Sequence, residues 1–66
     1  MQITMKAARV NAGLTQQEVA GIMKVSNATI VNWETGKIDP KPAQLAMFCQ
    51  ICECSTDDII LPKQLT

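Results

Sequence analysis

Helix-stopping and helix-starting residues interrupt this chain about every ten residues, so whatever it folds into must be assembled from short helices and not from long ones. Lys6-Ala7-Ala8-Arg9 is rich in good helix formers and the run stops at Gly13. The pattern predicts a helix from about Thr4 to Ala12, even though Met1-Gln2-Ile3-Thr4-Met5 alternates apolar and polar. Thr15-Gln16-Gln17-Glu18 matches the capping box, in which the threonine hydroxyl accepts from a backbone N–H and the acid three residues on accepts from the threonine N–H. A second helix starts there, with Val19, Ala20 and Met23 on one face, and ends near Lys24-Val25. Ser26 is a good N-cap for a third helix that runs to Glu34, before Thr35-Gly36. In it Ile30 and Trp33 face inward, leaving Asn27, Ala28, Thr29 and Asn32 as a small polar outer face.

Ile38-Asp39-Pro40-Lys41-Pro42 reads as a loop, because the residue before each proline is pushed out of the helical region. Leu45, Phe48, Cys49 and Cys52 then form the apolar stripe of a fourth helix. Ser55-Thr56-Asp57-Asp58 caps a last short helix holding Ile59 and Ile60. The expectation is an all-α, compact five-helix fold in one domain over residues 1–66.

Size and composition narrow the function. A chain of 66 residues buries only about 60% of the surface it exposes when unfolded, which disfavours a large catalytic cavity. Histidine is absent, and with it the commonest general base and metal ligand. No nucleophile–base pair, phosphate loop or paired acid is visible, so the expectation is no enzyme and no cofactor. The longest uncharged stretch, Pro42 to Cys52, is eleven residues, where a membrane span needs about twenty. Three cysteines cannot all pair with one another, and no basic region followed by an apolar run opens the chain, so a reducing cytoplasm is the expected setting. Formal charge is zero but polarised: residues 1–50 carry an excess of two positive charges, and residues 51–66 the matching excess of negative ones.

Two short helices joined by the break at Lys24-Val25-Ser26 have the spacing of a helix-turn-helix, over about residues 15–35. The residues go further. Leu14-Thr15-Gln16-Gln17-Glu18-Val19-Ala20, Val25-Ser26, Thr29-Ile30 and Trp33-Glu34-Thr35-Gly36-Lys37 closely resemble the Cro and lambda-repressor-like helix-turn-helix family, with Pro40 and Cys54-Ser55 also in register. The resemblance covers roughly Met5 to Ile60. It implies a lambda-repressor-like domain, double-stranded DNA as ligand, and a two-fold dimer on a roughly palindromic operator.

The resemblance also implies roles for individual residues. Gln16 stands where the family contacts the phosphate backbone at the start of the second helix, with Gln17 beside it. Asn27, Ala28 and Asn32 stand at the outward positions of the recognition helix. There an asparagine amide can pair bidentately with adenine and an alanine can touch a thymine methyl. Ser26 and Thr29 fit backbone contacts, and Lys37 and Lys41 fit phosphate charges. Arg9 and Glu34 match a salt bridge between the first helix and the end of the third, the arginine also being a candidate phosphate contact. Two departures stand out: Lys24 and Glu53 replace glycines that usually end the second and fourth helices. The left-handed backbone expected at Lys24 costs a lysine about 1 kcal/mol.

Other features read more plainly. Cys49-x-x-Cys52-x-Cys54 lacks the fourth ligand of a zinc site and the strand context of a thioredoxin-like pair, so the thiols are expected to pack as small apolar residues and no metal is expected. Trp33 reads as core, and Glu18, Asp57 and Asp58 as helix caps. The leading function is a small sequence-specific transcriptional regulator, a repressor of phage or plasmid type. The alternative is a protein-interaction module of the same fold, antitoxin-like or partner-binding, suggested by zero net charge and by Ile22, Val31 and Ile38 at positions the family more often leaves polar. Ile59, Ile60, Leu61 and Leu65 exceed what one short helix can bury, which suggests a weak homodimer through the C-terminal segment.

Overall fold

The computed structural model describes residues 2–62. Its elements run β1 (Ile3–Thr4), α1 (Met5–Asn11), α2 (Gln16–Met23), α3 (Asn27–Thr35), α4 (Pro42–Ile51), a single 3-10 turn (Thr56–Asp58) and β2 (Ile59–Ile60). The four α-helices begin where the sequence signals put them. Thr4 Oγ1 accepts from Ala7 N–H at 3.1 Å. At α2 the capping box closes in both directions, Glu18 N–H to Thr15 Oγ1 at 3.1 Å and Thr15 N–H to Glu18 Oε1 at 2.9 Å. Ser26 Oγ accepts from Thr29 N–H at 3.1 Å to start α3, and Pro42 supplies the pre-set φ at the first turn of α4.

The helices stop by a shared device. A residue with left-handed backbone stands after each one: Gly13, Lys24, Gly36 and Glu53, with φ of 75°, 58°, 83° and 56°. Behind three of these residues the chain makes the paired hydrogen bonds of a Schellman closure. The outer bonds run from Leu14 N–H to Arg9 O at 3.2 Å, Val25 N–H to Ala20 O at 3.0 Å and Cys54 N–H to Cys49 O at 2.9 Å. Each turns the chain back within two residues, and four short helices therefore fold around one core.

That core contains Met5 and Ala8 of α1, Val19, Ala20 and Met23 of α2, Ile30 and Trp33 of α3, and Phe48 and Cys49 of α4, with Cys52 and Ile59. Trp33 and Phe48 are its largest fully buried side chains. The expected inward faces of α2, α3 and α4 are thus the buried ones, although Leu45 is only half-buried.

The C-terminal segment corrects the expectation of five helices, while the fold stays broadly all-α with one pair of two-residue strands among the described residues. Ser55 does cap, accepting from Asp57 N–H at 3.2 Å, but only one 3-10 turn follows before Ile59 and Ile60 extend into a strand. They pair in parallel with the first strand, Ile3 against Ile59 and Thr4 against Ile60. The alternation was therefore a strand signal over Ile3–Thr4, and Thr4 is both the end of β1 and the cap of α1. Two β-branched isoleucines favour the extended state, and pairing with β1 gives this strand its backbone partners. Ile59 is buried and Ile60 and Leu61 are half-buried, while Leu65 lies outside the described residues.

Candidate nucleic-acid interface

Helices α2 and α3 meet at the turn Lys24-Val25-Ser26, with Lys24 left-handed and Ser26 capping the second helix. Burial of Ile30 and Trp33 fixes which side of α3 faces out. At its N-terminal end Ser26, Asn27 and Ala28 are exposed, while Thr29, Val31 and Asn32 are half-buried. The side chains at 27, 28 and 32 are short, and the helical repeat places Ala28 and Asn32 one turn apart. Ser26 Oγ and Thr29 Oγ1 share a hydrogen bond of 2.8 Å, which uses one of the two hydroxyl protons and leaves the other O–H able to donate.

A network of ionic and amide groups locks this pair of helices onto α1. Arg9 Nε donates to Glu34 Oε2 at 2.7 Å and Nη2 to Glu34 Oε1 at 3.2 Å. Arg9 Nη1 donates to Leu14 O at 2.8 Å, across the closure of its own helix. Gln16 Nε2 donates to Glu34 Oε1 at 3.1 Å. The end of α1, the start of α2 and the end of α3 therefore converge on one carboxylate. Both charges are largely shielded, with side-chain exposures of 10% for Arg9 and 3% for Glu34. The hydrogen bonds to Glu34 raise the Arg9 pKa above its ordinary value, against the opposing effect of burial. The expected salt bridge is present, in the buried form.

The remaining sequence-derived positions fall in two groups. Gln17 is exposed in the first turn of α2, beside the half-buried Gln16. Lys37 is exposed beyond α3, and Lys41 is exposed at the start of α4, where its N–H donates to Gln44 Oε1 at 2.9 Å. Arg9 stands apart from this exposed set, because its guanidinium is directed to Glu34 and Leu14 O. Sequence reasoning missed the third member of the network. Gln16 and Glu34 are eighteen residues apart, and only the packing of α2 on α3 brings the amide to the carboxylate.

No helix in the described residues is long and apolar enough to cross a membrane. No group of three or more Cys, Asp or Glu side chains among them is placed to hold a metal ion.

Two short helices at a three-residue turn, the second with a small polar outer face and a buried aromatic underside, make this a helix-turn-helix protein. A family model described as Helix-turn-helix matches residues 5–59, and the chain belongs to that family, of the Cro/C1 type. It is a family of DNA-binding regulators and not of enzymes. No curated protein and no solved structure matches the chain.

Proposed function

We propose that this chain is a small sequence-specific regulator that inserts α3 into the major groove of double-stranded DNA and represses by occupancy, in the manner of a phage or plasmid repressor. The observation that carries the reading is the exposure of Asn27 and Ala28 on a helix whose other side is anchored by Ile30 and Trp33. A helix fits a groove about 12 Å wide, and short side chains let its backbone come close to base edges. In this reading Asn27, Ala28 and Asn32 read bases. Gln16, Gln17, Ser26, Thr29, Lys37 and Lys41 set position on the phosphates. Arg9 works from beneath, holding Glu34 and through it the start of α2.

The operator in this proposal is a near-palindrome bound by a weak homodimer. Its recognition helices would sit about 34 Å apart, one helical turn of DNA. The chain's longest extent is 28 Å, so two copies side by side span that distance without a linker. Enrichment of a common half-site from a random duplex library tests the reading, and the absence of any enriched sequence at low salt overturns it.

A second reading rests on the exposed apolar side chains. Ile22 is 49% and Ile38 53% exposed, with Val10 and Met47 also out, whereas Val31 is half-buried. Such side chains suit a protein partner. Co-purification of one protein, together with failure of the duplex selection, favours that alternative.

A further inference from the structure

The proposed DNA contacts use none of the cysteines, yet the way α4 ends brings two of them together. With Glu53 left-handed, Cys54 N–H donates to Cys49 O at 2.9 Å and Glu53 N–H to Gln50 O at 3.3 Å. The first and sixth residues of such a closure turn their side chains toward each other, ordinarily as an apolar contact. At α2 those residues are Ala20 and Val25; at α4 both are thiols. One carbonyl, one hydrogen bond of 2.9 Å and one N–Cα bond separate the two Cα atoms, a path no longer than about 6.8 Å, which is within the span of a disulfide.

Cys49 is buried and Cys54 only half so. Burial first, and then the neighbouring Cys54 thiol, push Cys49 up to about 12. Cys49 therefore keeps its proton and is a poor direct target for an oxidant, while Cys54, only half-buried, is the more accessible residue of the two. Cys52, between them in sequence, packs into the core.

We infer that Cys49 and Cys54 form a dithiol site which hydroperoxides convert to an intrachain disulfide without rebuilding the turn. The Cys54 thiolate attacks one peroxide oxygen, the O–O bond breaks, and water or an alcohol leaves, giving a sulfenic acid. The Cys49 sulfur then displaces that hydroxyl, which departs as water with the Cys49 proton, and the S–S bond forms. Two thiols have lost two electrons and two protons to one peroxide. A half-buried Cys54 without this neighbour would link one chain to another, so the buried partner keeps the oxidised molecule single.

The test is to expose the folded, reduced full chain to equimolar hydrogen peroxide, quench it, and read the intact mass and the non-reducing peptide map. A parallel sample is oxidised in denaturant. In the folded chain the mass falls by two hydrogens, the Cys49–Cys54 link predominates, a thiol reductant reverses it, and Cys52→Ala gives the same bridge. In denaturant the three possible pairings mix. In Cys49→Ala the oxidised product shifts to a covalent dimer through Cys54. The inference is overturned if the folded wild-type chain yields a bridge to Cys52, a covalent dimer, a sulfinic acid at Cys54 with Cys49 free, or no product. Because the wild-type map decides the matter, it does not depend on whether Cys49→Ala folds.

Discussion

Glu34 grips the guanidinium of Arg9 with both carboxylate oxygens, at 2.7 and 3.2 Å, and the second of those oxygens also accepts from Gln16 at 3.1 Å. Three helices share one buried anion, and removing it leaves a buried cation uncompensated. Glu34→Ala is expected to cost about 3–5 kcal/mol by urea denaturation. Arg9→Ala should cost a similar amount, and the double variant less than the sum. Additive losses would show that the two side chains do not act as a pair.

Lys24 and Glu53 occupy left-handed backbone that their Cβ atoms disfavour. Lys24→Gly and Glu53→Gly should each stabilise the chain by about 0.5–1 kcal/mol, the relief of that strain exceeding the extra freedom glycine brings to the unfolded state. A lower denaturation midpoint for both would contradict this.

Gly36 is the opposite case. A Cβ there would stand 2.6 Å from Pro62 Cβ, on a residue with φ of 83°. Gly36→Ala is therefore expected to destabilise by more than the roughly 1–2 kcal/mol that left-handed backbone alone costs an L-residue. Pro62→Gly in the same chain should recover the steric part and leave the backbone part. A thermal melt in which Pro62→Gly gives no recovery rules out the contact as the cause.

For DNA, Asn32→Ala should weaken binding to the selected site by about 1–3 kcal/mol and leave random duplex nearly unaffected. Lys41→Ala should weaken binding to all sequences alike and reduce the salt slope by about 1. Equal losses on every sequence for Asn32→Ala would remove it from the base-reading set.

Alkaline pH should unfold the chain through its buried thiols. Burial is the main cause that pushes Cys49 up to about 12 and Cys52 up to about 11, from an ordinary 9.0. Above that ordinary value the unfolded chain releases protons that the folded chain retains, so stability is full below pH of about 9 and falls as pH rises toward the folded values. The slope approaches about 1 kcal/mol per pH unit for each thiol. Urea titrations under reducing conditions between about pH 8 and 10.5 measure it. A slope that persists in Cys49→Ala/Cys52→Ala would assign it elsewhere.

Most of the helical frame was legible because its signals are local. The capping box at Thr15 and Glu18, the cap at Ser26 and the stops at Gly13 and Gly36 each act within a few residues, and the Ile30–Trp33 spacing set the buried side of α3. The strand pair was not legible, because Ile3 meets Ile59 across almost the whole chain and a two-residue strand carries too little pattern to outweigh the helix formers beside it. The candidate site divides in the same way. Exposure of Asn27 and Ala28 follows from periodicity, and the Arg9–Glu34 bridge from family resemblance, whereas Gln16 joins Glu34 only through tertiary packing. The meeting of Cys49 with Cys54, in preference to a Cys49–Cys52 pair, depended on the left-handed turn at Glu53.

The parallel register of Ile3 with Ile59 and Thr4 with Ile60 also fixes how the molecule answers a pull on its two ends. Strands running the same way, drawn from the start of one and the finish of the other, slide along each other and load their hydrogen bonds together in shear. Mechanical tension on a tethered or fused chain therefore strains this short clasp first, before it reaches the helices that carry Asn27 and Ala28.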